Sequence, residues 1–325
     1  MQEKTEGQKP LIILTGPTAA GKTALSIQLA KAVDGEIISA DSMQVYRRMD
    51  IGSAKILPEE RKGIPHHLID VLEPTQDFNV VLFQQMAKES LDGIYRRGRI
   101  PILAGGTGFY IQAILYDIDF TESEEDTSYR RQLERLAEEK GPSFLHQMLQ
   151  EVDEASAQAI HENNMKRVIR ALEFYKLTGQ KISSHNEAEH QKEAAYNACY
   201  FVLTDDRARL YEKIDRRVDK MLSDGLVEEV AALRKAGCTK DMVSMQGLGY
   251  KEILSFLDGE ISLERAVYLI KRDTRHFAKR QLTWFRREKN VIWADKNAFA
   301  EDEERILDFM LKKIREAGIP IGNGK

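Results

Sequence analysis

The stretch Leu11-Ile12-Ile13-Leu14-Thr15-Gly16-Pro17-Thr18-Ala19-Ala20-Gly21-Lys22-Thr23 opens as an apolar run, breaks at Gly-Pro and restarts as a helix former. A short apolar run ending in breakers reads as a buried strand entering a loop. From about Lys22 to Val33, Leu25, Leu29 and Ala32 fall on one helical face. Gly16, Gly21, Lys22 and Thr23 satisfy the spacing GxxxxGK[ST] between that strand and that helix, the context its chemistry requires. Backbone N–H groups wrapping a helix N-terminus point at an anion, a lysine adds charge between phosphates, and a threonine hydroxyl suits Mg²⁺. Gly16, Pro17, Thr18, Ala19, Ala20, Gly21, Lys22 and Thr23 are therefore the expected cradle of a substrate carrying at least two linked phosphates, with Thr23 the expected Mg²⁺ ligand.

Outward from this loop the order strand, helix, strand recurs. EIISA (residues 36–40) reads as a second strand ending at Asp41-Ser42, residues 68–71 as a third, residues 80–97 as an amphipathic helix, and residues 100–104 as a fourth strand running into Gly105-Gly106-Thr107-Gly108. From about residue 118 strand-like runs vanish, acidic residues gather at 122–126, and a clear helix begins at Asn163/Asn164, burying Met165, Val168, Ile169 and Leu172 before Thr178-Gly179. Strand character returns at residues 199–204, with helices near 207–222 and 226–235. Ser262 suits the cap of a long helix to about Arg287, with Val267, Ile270, Phe277 and Leu282 inward. VIWA (291–294) reads as a last strand before a closing helix. The expected fold is α/β, a P-loop-type parallel sheet with flanking helices and an inserted all-helical subdomain: core 1–117 and 198–325, insertion 118–197.

Composition narrows the setting. In 325 residues the hydrophobic share is an ordinary 42 %, and no apolar run nears the ~20 residues that cross a bilayer. The polar N-terminus lacks the apolar stretch of a secretory signal, and two cysteines are too few for a disulfide framework, so a cytoplasmic protein without membrane partners is expected. A net charge of −4 argues against coating nucleic acid by bulk charge, yet residues 271–289 hold eight Lys/Arg against Asp273 and Glu288. With Phe277, Trp284 and Phe285 interleaved, that stretch is either an RNA face or a core stripe with a wet side.

Beyond the loop, the residues leave alternatives open. Asp41, beyond the carboxyl end of a strand, suits a metal organiser, a general base or an N-cap. The Gly105-Gly106-Thr107-Gly108 turn admits close approach of a ligand or is only a tight connection. Arg216 and Arg217 are solvated cations or a partner for a departing pyrophosphate. His66-His67 lacks metal-ligand spacing and reads as structural.

Taken together, GPTAAGKT (16–23), DSMQVYR (41–47), MDIGSAK (49–55), PHHLID (65–70), GGTGFY (105–110), KRVIRALE (166–173), RRVDKML (216–222), GLGYKE (247–252) and KRQLTWFR (279–286) resemble the bacterial tRNA dimethylallyltransferases, or tRNA isopentenyltransferases, over most of the chain. The resemblance implies transfer of a dimethylallyl group from its diphosphate to N6 of the adenosine at tRNA position 37, with Mg²⁺ and release of pyrophosphate. It assigns Asp41 as the base at the attacking amine, Thr107 as support for the bridging oxygen, and Lys22 and Arg217 as cations for the leaving group. It places Asp41, Ser42, Met43, Gln44 and Thr107 at the adenine, and Arg130, Lys166, Arg167, Val168, Ile169 and Arg170 against the anticodon stem-loop. A monomer is expected. Such a loop usually takes ATP as fuel; here it is expected to hold the leaving group of an allylic diphosphate. A small-metabolite P-loop kinase and a prenyltransferase of free adenine nucleotides are the alternatives.

Overall fold

A computed structural model describes residues 7–120 and 128–321; the acidic stretch at 122–126 lies outside them. The chain divides into two compact units, Met1–Leu115 with Ala194–Lys325, and Tyr116–Glu193.

The first unit begins with β1 (Pro10–Thr15), α1 (Lys22–Val33), β2 (Gly35–Ala40), β3 (His66–His67), α2 (Val80–Arg96), β4 (Ile100–Gly105) and α3 (Gly108–Leu115). The second unit holds α4 (Ser128–Lys140), α5 (Pro142–Val152), α6 (Glu154–Ala159), α7 (Met165–Thr178) and α8 (Ile182–Gln191). The first resumes with β5 (Asn197–Thr204), α9 (Arg207–Ser223), α10 (Leu226–Lys235), α11 (Tyr250–Leu257), α12 (Leu263–Phe285), β6 (Val291–Asp295) and α13 (Glu303–Glu316).

Six strands form one parallel sheet in the order β3-β2-β4-β1-β5-β6. Parallel strands covered on both faces have no wet side, which is why β1 and β2 read as unbroken apolar runs rather than alternating ones. One core face gathers Leu25, Leu29 and Val33 of α1 with Ile306, Met310 and Ile314 of α13. In register, Thr15 lies beside Gly105 and Val202, and Ala40 beside Gly105. The loops leaving β1, β2, β4 and β5 therefore emerge together at the carboxyl edge, where open α/β sheets bind ligands.

The structure corrects two sequence expectations. Residues 68–71 are not a strand: β3 is the two residues before them, and Leu68 and Asp70 take positive φ of 62° and 58°, which breaks the pleat. Val71 and Leu72 instead donate backbone hydrogen bonds to Val45 at 2.9 and 3.1 Å. On α12, the buried stripe is Ala266, Ile270, Ala278, Gln281 and Phe285, while Val267, Phe277 and Leu282 are only half-buried. The helix packs against α11 and α9, with Ala278 in one cluster with Leu210 and Ile214 of α9.

The second unit, taken by itself, packs Leu133, Leu145, Leu149, Val168 and Leu172 at its centre. Buried Asp153 is fixed there by hydrogen bonds from the Ser156 and Ser183 hydroxyls, both 2.7 Å. No described helix in either unit is long and apolar enough to cross a membrane.

Candidate active site

The phosphate loop is shaped by what its residues cannot carry. A Cβ on Gly16 would lie 2.3 Å from the Leu203 carbonyl oxygen of β5, so only glycine passes there. Ala19 and Gly21 take left-handed backbone, φ 64° and 90°, wrapping the chain around the start of α1. Gly21 is the N-cap of α1, and no side chain caps that helix. Its first N–H groups thus face an anion-sized nest. Lys22 Nζ donates to the Pro17 carbonyl at 2.8 Å, curling back across the loop. Burial, helped by the neighbouring Arg217 and opposed by Asp41, brings the Lys22 ammonium down to about 8. Thr23 is exposed beside it.

Of the two adjacent arginines on α9, Arg216 points to solvent, whereas half-buried Arg217 donates from Nη1 to Thr18 Oγ1 at 3.2 Å. One residue is about 100° of helical turn, and that rotation decides which of them faces the loop.

Asp41 follows β2 directly. Its Oδ1 accepts from the Met43 and Gln44 backbone N–H groups at 2.8 and 3.3 Å, which closes a turn; no helix follows, so Asp41 is not a helix N-cap. Oδ2 accepts no hydrogen bond among the described residues, and the carboxylate acts electrostatically on both Lys22 and Arg217. Thr107 follows β4, its N–H donating to the Ala40 carbonyl at 3.2 Å. The sheet thus brings Lys22, Thr23, Arg217, Asp41 and Thr107 to one edge from four elements.

Ser42, Met43 and Gln44 continue from Asp41, each half-buried. The Gln44 amide reaches the Ser53 and Ala54 carbonyls at 3.5 and 3.4 Å, tying this segment to the following loop. That loop is gripped by Glu229 of α10, which accepts from the N–H groups of Asp50, Ile51 and Gly52 at 2.9, 2.8 and 3.1 Å and from the Tyr250 hydroxyl at 2.8 Å. Below it, buried Lys55 Nζ lies 2.6 Å from each of Tyr46 O, Asp50 Oδ1 and Asp70 Oδ1.

Sequence reasoning gave no role to Glu229 or to Gln281. Gln281 Oε1 accepts from Thr18 N–H, and its Nε2 donates to the Gly106 carbonyl, both at 2.9 Å. The signal was present: Gln281 stands in phase with Ile270, Ala278 and Phe285, a polar residue inside an apolar stripe.

In the second unit, Lys166, Arg167 and Arg170 are exposed on α7, in keeping with a cationic surface. Val168 and Ile169 are corrected: at 0 % and 7 % exposure they build that unit's core, and their side chains are not available to RNA. Arg130 is exposed but already forms a two-pronged pair with Glu173, at 2.9 and 2.7 Å. His66 and His67 are structural, bonded to the Ile64 carbonyl and to Glu36 at 2.8 and 2.7 Å. Among the described residues no group of three or more His, Cys, Asp or Glu could hold a metal ion. A metal at this edge would therefore take most of its oxygen ligands from phosphate and water, a donor set that suits Mg²⁺.

The chain resembles known proteins along nearly all of its length. The family model described as IPP transferase matches residues 44–288, and one described as Isopentenyl transferase matches residues 9–72. The chain is 59 % identical over 311 residues to the tRNA dimethylallyltransferase of Lachnoclostridium phytofermentans, covering 96 % of this chain and 99 % of that one. It is 53 % identical to that of Carboxydothermus hydrogenoformans, covering 95 % and 97 %. Among solved structures, a tRNA isopentenylpyrophosphate transferase from Bacillus halodurans superposes with a TM-score of 0.72 at 43 % identity, covering 96 % and 98 %. A eukaryotic dimethylallyltransferase solved acting on tRNA gives 0.81 at 29 % identity, covering 97 % and 81 %. With three-quarters of its length, Thr107 included, inside the first of these models, and its phosphate loop and Asp41 inside the second, this chain belongs to the IPP transferase family.

Proposed function

We propose that this protein is a tRNA dimethylallyltransferase that moves a dimethylallyl group from its diphosphate to N6 of the adenosine at tRNA position 37, releasing pyrophosphate. The observation that carries the reading is the pairing of a phosphate loop with Asp41 and Thr107 on neighbouring strand ends, where β4 ends without a carboxylate. A triphosphatase normally sets a strand-end carboxylate on Mg²⁺ and water; here the carboxylate sits where an incoming amine must lose a proton.

The loop N–H groups hold the diphosphate, and Lys22 and Arg217 take up negative charge as the C1–O bond breaks. Stabilising that leaving group does much of the activation, because an allylic carbon tolerates positive character. Thr107 donates toward the bridging oxygen. The adenine leaves its stack, passes Ser42, Met43 and Gln44, and presents N6 to the free oxygen of Asp41, which accepts the proton. Thr23 is the protein ligand for Mg²⁺, which when bound adds charge neutralisation at the diphosphate. Lys166, Arg167 and Arg170 grip the anticodon stem-loop, with Arg130 contributing only if it gives up Glu173. All these groups come from one copy, and the enzyme is proposed to act as a cytoplasmic monomer.

The test mixes purified protein, Mg²⁺, dimethylallyl diphosphate and an unmodified anticodon stem-loop, with parallel reactions that supply ATP, or AMP in place of the stem-loop. A mass gain of one C5 unit on adenosine is expected. No gain, with ATP hydrolysis instead, would favour a kinase; a gain only on free AMP would favour the nucleotide prenyltransferase.

A further inference from the structure

We propose that Gln281 is a positioning residue that sets the spacing between the phosphate loop and the Thr107 turn, the two elements flanking the bond to be broken. The proposal rests on the transfer reaction above. Gln281 lies on α12 and is 6 % exposed. Its amide orientation is dictated by chemistry: Thr18 N–H only donates and the Gly106 carbonyl only accepts, so Oε1 must face the first and Nε2 the second. Both bonds are 2.9 Å long.

One planar group thus joins two loops that share no strand hydrogen bond at these positions. Thr18 also receives Arg217, and Gly106 immediately precedes Thr107. The fit is tight enough to fix the residue opposite: a Cβ on Gly106 would lie 2.2 Å from Gln281 Nε2. A larger residue there would have to push the Gln281 amide aside. Removing the amide leaves one backbone donor and one acceptor without their partners and frees the loops to drift apart. Of the loop, only the Thr18 N–H is engaged by Gln281; the N–H groups of residues 21–23 and the Lys22–Pro17 bond do not touch it, so these phosphate contacts persist when the spacing changes.

Gln281→Ala is expected to lower kcat by about 10- to 100-fold, the cost of a displacement near 1 Å, with KM for dimethylallyl diphosphate and affinity for inorganic pyrophosphate within about threefold of wild type. Gly106→Ala, which must push the amide aside, is expected to lower kcat similarly. The double variant should be no slower than Gln281→Ala, because the alanine then has room. Hydrogen exchange at the Thr18 amide of the unliganded protein should quicken in both single variants. Should Gln281→Ala fold poorly, Gln281→Glu keeps the volume and the bond to Thr18; it should slow kcat while the Thr18 amide stays protected. Wild-type kcat in Gln281→Ala, multiplicative losses in the double variant, or an unchanged Thr18 exchange rate in Gln281→Ala would each overturn the strut. If wild type transfers no C5 unit, the reaction reading fails, and Thr18 exchange still decides the strut.

Discussion

Asp41 uses its two oxygens differently. Oδ1 is tied to the N–H groups of Met43 and Gln44, which holds the carboxylate still, and Oδ2 accepts no hydrogen bond among the described residues. Asp41→Asn keeps an acceptor for the turn but removes the base. Prenyl transfer in single turnover is expected to fall by about 10²- to 10⁴-fold while pyrophosphate affinity stays within about threefold; a wild-type rate would remove the base assignment. At the opposite edge of the sheet, Glu36 is 1 % exposed and accepts from Arg97 at 2.8 and 2.7 Å, Arg99 at 3.2 Å and His67 at 2.7 Å. Arg97 above all, against the cost of burial and with help from His67, brings its carboxyl down to about 2. Because the folded value lies below the unfolded one, the stability it adds is fully present above about pH 4.5 and is lost as pH falls toward 2. With half-exposed arginines discounted, Glu36→Gln should cost about 2 kcal/mol at pH 7. Urea melts from pH 3 to 7 should show the gap to wild type narrowing with acid; a gap independent of pH would show that charge is not the cause. Lys22 takes its hydrogen-bond partner, Pro17, from five residues away, so its place on the loop was legible from spacing alone. Gln281 and Glu36 take their meaning from partners 263 and 61 positions away, which no local pattern contains.

At the scale of elements, the segment after β2 is held less by its own conformation than by α10 and α11. Three consecutive N–H groups converge on Glu229, and Gly52 lies so close to Tyr250 that a Cβ would meet its ring at 2.6 Å. Glu229→Gln keeps the shape but removes the charge and replaces one of the two acceptor oxygens with an NH₂ donor, leaving two of the four donors without an acceptor. It is expected to raise KM for the RNA by about 10-fold, from loosening of residues 41–54, while KM for the diphosphate is unchanged. Equal effects on both would indicate general destabilisation instead. Strands and helices with strong periodicity were readable in the sequence, down to the Ser262 cap of α12. β3 was not, because two residues carry no period and the apolar Leu68 and Ile69 beside it are buried through turns rather than through a ladder. The inward face of α12 was misjudged by about one residue, since large apolar side chains were ranked above the alanines that allow close helix packing.

For the whole molecule, chemistry and RNA grip are assigned to different units, and the assignment makes them separable by salt. Replacing Lys166, Arg167 and Arg170 together with Gln should reduce the slope of log affinity against log salt for the stem-loop by about 2 to 3, with pyrophosphate binding unaltered. An unchanged slope would take α7 out of the RNA interface. The insertion also bears on how the chain reaches its fold. β1 pairs with β5 from Pro10 beside Asn197 onward, so the central sheet and the Gly16 passage under Leu203 cannot form until the chain is two-thirds made. The second unit is contiguous in sequence, and its flanks meet where Ala195 N–H donates to the Leu115 carbonyl at 2.8 Å. Folding of that helical unit first would bring β4 and β5 near each other and shorten the loop that β1 must close, a saving in chain entropy. Pulse-labelled hydrogen exchange during refolding should then find α5 and α7 protected before β1, and the phosphate loop, written first in the sequence, would be among the last parts to take shape.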